Sequence, residues 1–325
     1  MKRSRPVIVS TIALATTLVL AACGGDSDET GDGGGGGDGG LTEVRVGETA
    51  GIPSAFLEYG VDQGLFEDEG LDVRVDTSAG GAAAIPGVVG GTLDIAGSNT
   101  VSVLLAADQG LPITMIAPGT FATEDPESDF SAVVVPADSD IETSADLAGR
   151  QVAVNTLQNI GDITISTSVE NAGADPSAIE YVELGFPDML PALDSGQVEA
   201  AWVIEPFRTL ALEAGDRVVS HPYVEAYPGL QVGSFLASDQ YAAENPEVID
   251  AFRAGLAATI ELVDSDPDAF RSAVPDLDPE VADAMILPEY HTDIDVESLE
   301  FLSERMRAEG YVSEEIDVAS IVGEQ

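Results

Sequence analysis

Cysteine occurs once in the 325 residues, at position 23, tryptophan once, at position 202, histidine twice, and lysine only at position 2. A single thiol excludes an intrachain disulfide and leaves no thiolate nucleophile or thiolate metal site beyond the first stretch of the chain. His221 and His291 stand 70 positions apart, so no local histidine metal motif is present, and no cofactor is expected. Basic residues are scarce: Lys and Arg total 12 against 59 Asp and Glu, a formal charge of −47, and past Arg5 only nine arginines remain. Such a surface repels nucleic acid and anionic lipid headgroups and argues against both as partners. It suits either a high-salt habitat, where charges are screened within a few ångströms, or an acidic high-GC proteome in ordinary salt. Apolar runs are short too, since the longest, residues 7–20, falls below the roughly 20 residues of a membrane span. Hydrophobic residues still make up 44% of the chain, enough to build real cores, so the charge is no sign of disorder.

What is present begins with Lys2, Arg3 and Arg5, the apolar run, and then Leu20, Ala21, Ala22 and Cys23. This arrangement resembles a bacterial lipoprotein signal, with residues 1–22 removed and lipid attached to Cys23. The resemblance implies an extracytoplasmic chain, lipid-anchored to the outer face of the cytoplasmic membrane. Residues 23–40, rich in Gly and Asp, cannot bury apolar surface and read as a flexible stalk. About 285 residues follow, beyond the size at which a single core usually divides.

From Leu41 onward short apolar strands alternate with helical stretches, an α/β signature. Strands are expected at 44–47, 71–75, 93–96 and 113–116, and helices at 53–63, 82–89 and 101–107. A second α/β set follows strand 132–135 and begins at 151–154. The two sets look duplicated: Gly91, Thr92, Leu93, Asp94, Ile95, Ala96 parallels Gly196, Gln197, Val198, Glu199, Ala200, Ala201. Each has a glycine closing a helix and an acid opening a buried strand. A return strand at 232–237 leads into helices at 246–263, 267–273, 279–287 and 296–309, which have no sheet of their own and are expected to complete the first lobe. The chain would then cross between lobes near Val135 and near Val232.

Several segments carry a family resemblance: Gly64 to Glu67 with Gly70 to Val73, Gly91 to Ile95, Ser144 to Ala153, and Ala192 to Pro206. In order and spacing they resemble the extracytoplasmic substrate-binding proteins of ABC importers in the nitrate, sulfonate, taurine and thiamine-pyrimidine group, over nearly all of residues 41–322. The resemblance implies a two-lobed periplasmic-binding-protein type II fold, two α/β sandwich domains joined by a two-strand hinge. Lobe I would be residues 41–135 with 233–325, and lobe II residues 136–232. It also implies a monomer that captures a small nitrogen- or sulfur-containing organic ligand and works with a membrane permease and an ATPase, without chemistry of its own.

Ligands of open α/β sheets gather at the carboxyl ends of strands, which nominates the contacts. Thr49, Gly51 and Ile52 follow the first strand, where a helix N-terminus offers free N–H groups. Ser98, Asn99 and Thr100 follow the third. In the second lobe Thr156, Gln158, Asn159, Ile160 and Gly161 fill a loop before a helix, and Phe186 and Asp188 follow another strand end. Ser98, Asn99, Thr100, Asn159 and Asp188 suit helix capping equally. Strand alternation sets Trp202 and Ile204 on one face and Val203 and Glu205 on the other. Glu205 is the expected cavity residue, with Trp202 either core or ligand platform, and Arg208 a surface partner of Glu205 or Glu213. A buried Glu205 would call for an amine-bearing, zwitterionic or heteroaromatic nitrogen ligand.

Two other classes fit the same outline. One is a cleft enzyme of the thiamine-pyrimidine synthase or desulfinase type, disfavoured by the absent thiol and by a single formal acid–base pair, His221 with Glu225. The other is a ligand-sensing receptor domain.

Overall fold

The computed structural model describes residues 40–78, 80–275 and 277–323, so the leader, Cys23 and the stalk up to residue 39 lie outside the described residues. The first run is β1 (Thr42–Thr49), α1 (Ile52–Asp62), β2 (Leu71–Ser78), α2 (Ile85–Val89), β3 (Ile95–Asn99), α3 (Thr100–Asp108) and β4 (Ile113–Pro118). A short strand β5 (Thr120–Phe121) precedes the second run. That run is β6 (Ser131–Val135), β7 (Gln151–Val154), α4 (Ile160–Asn171), β8 (Glu180–Glu183), α5 (Phe186–Asp194), β9 (Ala200–Ile204), α6 (Phe207–Ala214), β10 (Arg217–Ser220) and α7 (Pro222–Ala226). The chain finishes with β11 (Gly233–Ser238), α8 (Asp239–Glu244), α9 (Pro246–Ser265), α10 (Pro267–Ala273), α11 (Pro279–Ala284), β12 (Glu289–Tyr290) and α12 (Val296–Ala308). Proline in the first turn of α1, α9, α10 and α11 sets φ where its missing N–H costs nothing.

The strands form two five-stranded sheets, ordered β2-β1-β3-β11-β4 and β10-β6-β9-β7-β8. Read from β8, the second repeats the first, with one antiparallel strand in the fourth place: β11 in one sheet and β6 in the other. The echoed segments occupy equivalent positions, for β3 and β9 are both third, and each is entered through a glycine in the left-handed region, Gly91 (φ 71°) and Gly196 (φ 70°). Only glycine adopts that conformation without penalty, which is why the punctuation is readable twice.

One boundary differs from expectation. Strand β6 pairs with β9 and β10, so residues 131–135 belong to the second sheet, and the outward crossing lies between β4 and β6 rather than after Val135. The reason is burial. All five residues of β6 are buried, a pattern that a central antiparallel strand of either sheet would give.

The C-terminal helices pack on the first half. Phe66 lies 5.5 Å from Phe252 of α9, ring centre to ring centre, and Gly255 lies beneath Phe66, where a Cβ would stand 2.5 Å from the ring. Helix α12 also reaches the second half, through an Arg305–Glu170 ion pair of 2.8 Å to α4. Among the described residues no helix is long and apolar enough to cross a membrane.

Candidate ligand-binding cavity

A cavity lies between the two sheets, at the carboxyl ends of strands from both. The first half contributes Glu48 and Thr49 from the end of β1, Pro53 and Phe56 from α1, and Ser98 and Asn99 from the end of β3. The second half contributes Asn155, Asn159, Ile160, Phe186, Trp202, Ile204 and Tyr223. The crossing segments and the C-terminal region close it with Thr120, Ser234, Phe235 and Tyr290. Six aromatic rings thus wall a small space, and Glu48 is the one charged side chain among the described lining residues.

The aromatic walls are ordered by their own contacts. Phe56 stacks on Tyr290 at 4.0 Å with 15° between planes, and in the second half Trp202 lies 5.5 Å from Phe186 and 5.9 Å from Tyr223. Gly161 makes the Trp202 position possible, since a Cβ there would stand 2.8 Å from the indole. Burial drives the phenols of Tyr223 and Tyr290 well above their ordinary range, so both stay neutral. Ser98 Oγ, Trp202 Nε1 and Tyr290 Oη are buried without a hydrogen-bond partner among the described residues. Unpartnered buried polar atoms are costly, and three around one cavity mark it as a place built to bond something polar.

Glu48 is 4% exposed, and its Oε1 accepts the Thr49 N–H at 2.6 Å. Burial pushes its carboxyl up to about 8, against the lowering effect of that hydrogen bond.

Of the residues nominated from sequence, Thr49, Ser98, Asn99, Asn159, Ile160, Phe186 and Trp202 line this cavity. Asn99 and Asn159 also cap helices, their Oδ1 atoms accepting the N–H of Ser102 and of Ile160. Thr156 is not among the lining residues; it packs on Gly80, where a Cβ would approach its Oγ1 to 2.7 Å. Thr100 turns to the return segment and donates to the Gln231 carbonyl at 3.0 Å. Gln158 and Asp188 are exposed, and Gly161 acts beneath Trp202 rather than in the cavity. Gly51 and Ile52 lie against the second half, and the Ile52 N–H expected to face a ligand donates to the Glu205 carbonyl at 3.1 Å.

Glu205 itself points away from the cavity. Trp202 and Ile204 take the cavity face, so alternation sends Glu205 to the other side. Fully buried there, it accepts from Thr209 Oγ1 at 2.9 Å and from the Ile286 N–H at 3.2 Å, and pairs with Arg208 at 3.5 Å. Arg208 is accordingly buried rather than on the surface. His221 and Glu225 form no acid–base pair: Glu225 accepts the His221 backbone N–H at 3.0 Å and also bonds Ser168 and Ser220.

Sequence reasoning missed Glu48, Phe56, Tyr223 and Tyr290. Glu48 had a signal, since it extends the Val44, Val46 face by one step of the strand period at the carboxyl end of β1. Tyr290 had none, because it comes from the two-residue strand β12, which pairs with the equally short β5.

The family model described as "NMT1/THI5 like" matches residues 54–270. The formylaminopyrimidine-binding protein of Halalkalibacterium halodurans is 25% identical over 255 residues, covering 77% of this chain and 73% of that protein. In structure, the chain is similar to the alkanesulfonate-binding protein SsuA from Xanthomonas axonopodis pv. citri bound to MOPS, with a TM-score of 0.76, 18% identity and coverage of 87% of this chain and 99% of the other. It is similar also to the periplasmic nitrate-binding protein NrtA from Synechocystis PCC 6803, with a TM-score of 0.74, 14% identity and coverage of 87% and 86%. The fold is therefore the two-lobed α/β fold of periplasmic binding proteins.

Proposed function

This chain belongs to the NMT1/THI5-like family, and from that premise we propose that it is the extracytoplasmic substrate-binding component of an ABC importer, capturing a small organic ligand between its two halves. The observation that carries this reading is the cavity walled by strand ends of both sheets, with three unpartnered polar atoms around it. Two facing crevices that close on one molecule desolvate it and present a closed surface that a permease and its ATPase can distinguish from the empty form. The relatives support binding without chemistry, being named for what they bind. The protein acts as a monomer, held to the outer face of the membrane by lipid on Cys23, with residues 1–22 removed and 23–40 as the tether.

Two experiments test this. Thermal-shift screening of the purified protein against small organic amines, sulfonates, nitrate and pyrimidines should find a ligand that raises the melting temperature and is recovered unchanged by mass spectrometry; conversion of the ligand would contradict the reading. Labelling of expressing bacteria with a radioactive fatty acid should mark the protein, and Cys23→Ser should abolish the label.

A further inference from the structure

We propose that Glu48 is the charge anchor of the cavity and that the ligand it selects is a small organic cation centred on nitrogen: a protonated amine, amidine or amino-heterocycle. The inference rests on reading the cavity as the ligand site, and narrows it to one class.

Glu48 is buried at the end of a central strand with one backbone donor, the Thr49 N–H, and no arginine, lysine or histidine among the described lining residues. Its other oxygen, Oε2, occupies the space over Gly97, where a Cβ would stand 1.8 Å away. A carboxylate removed from water and left without a cation is costly, and a cationic guest is the partner that relieves the cost. The rings suit such a guest. Aromatic faces attract a cation through their quadrupole, and the Phe56–Tyr290 stack from the first half and Trp202 from the second both line the space. The unpartnered Trp202 Nε1 and Tyr290 Oη add donors for an acceptor atom elsewhere on the same ligand.

An anion meets the reverse situation. It would face Glu48 with no positive side chain among the described lining residues, and at three of the helix N-termini one donor is already engaged. The Ile52 N–H is taken by the Glu205 carbonyl, the Ile160 N–H by Asn159, and the Ser102 N–H by Asn99.

Proton linkage supplies a signature of its own. Burial holds Glu48 up to about 8 in the unliganded protein, and the titratable group its charge reaches is Tyr290, which stays neutral. A cation binds the ionised carboxylate, so below about pH 8 binding releases a proton and affinity rises by up to tenfold per pH unit.

The test is calorimetry of the full protein with benzamidine, agmatine and choline on one side and ethanesulfonate, benzoate and nitrate on the other. At least one of the cations should bind, releasing about one proton at pH 7 when two buffers of different ionisation enthalpy are compared. Glu48→Gln, isosteric and neutral, should weaken that binding at least tenfold and abolish the proton release, with melting temperature retained. Should that variant fail to fold, the buffer comparison on the unaltered protein decides alone. Binding of an anion with affinity unchanged in the Glu48→Gln protein overturns the cation inference and leaves the binding function standing. Binding of neither class removes both.

Discussion

Glu48 Oε2 lies 1.8 Å from where a Cβ on Gly97 would stand, so the carboxyl of β1 packs on the bare backbone of β3, and any side chain at position 97 would have to displace it. Both lie in adjacent, hydrogen-bonded strands of one sheet, so the carboxyl rather than the backbone is the part that must move. Gly97→Ala should cost about 1–3 kcal/mol by overpacking, and should displace the carboxyl and weaken ligand binding along with it. Melting curves and titration calorimetry on the same preparation check both parts; a Gly97→Ala protein with unchanged affinity would show that the position of the carboxyl does not matter.

Glu205 holds structure rather than ligand. Its carboxylate engages Thr209, Arg208 and the Ile286 backbone, which lies in the segment between α11 and β12. Glu205→Ala strands a buried guanidinium and a buried N–H, so a loss of about 3–5 kcal/mol is expected. Ligand affinity measured well below the melting temperature should stay within a few-fold of the unaltered protein, in contrast with Glu48→Gln.

The buried acids set the pH dependence of stability. Burial pushes Asp129 up to about 6, Asp162 up to about 7 and Glu48 up to about 8. Asp162 feels Glu309 as a like charge and sits beside Tyr311 and Tyr181, while Asp129 is held by the N–H groups of Ser131, Tyr223 and Val224. Each group binds its proton more tightly folded than unfolded, so the stability it contributes is complete below about pH 4 and is lost as pH rises through its folded value. The melting temperature should therefore fall between about pH 4 and pH 8, most steeply at the lower end where all three groups contribute. Glu48→Gln and Asp162→Asn should each flatten that fall, and a slope unchanged in both variants would remove these carboxyls as its source.

Much of the architecture is legible in the sequence because it is written in local punctuation. The Gly91 and Gly196 turns, each followed by an acid and an apolar strand, identify β3 and β9 as counterparts, and the sheets place them in equivalent positions. Alternation gave the parity of Trp202 and Glu205 correctly but not its direction. A period of two says which residues share a face, and only the helices packed on each side say which face meets the cavity. The same limit moved β6 into the second sheet: five buried residues fit the centre of either one. Tyr290 lay further from reach, since it stacks on Phe56 across 234 positions of sequence from a strand two residues long.

Trp202 is the sole tryptophan and lines the cavity, so its emission reports on that site alone. Titrating the full protein with the tightest-binding probe found by calorimetry tests the central claim of an interlobe site most directly. A saturable change in tryptophan emission, with one ligand per protein and the ligand recovered chemically intact, is the predicted result. Binding that is plain in calorimetry but leaves the emission of Trp202 unmoved would place the ligand elsewhere and contradict the account.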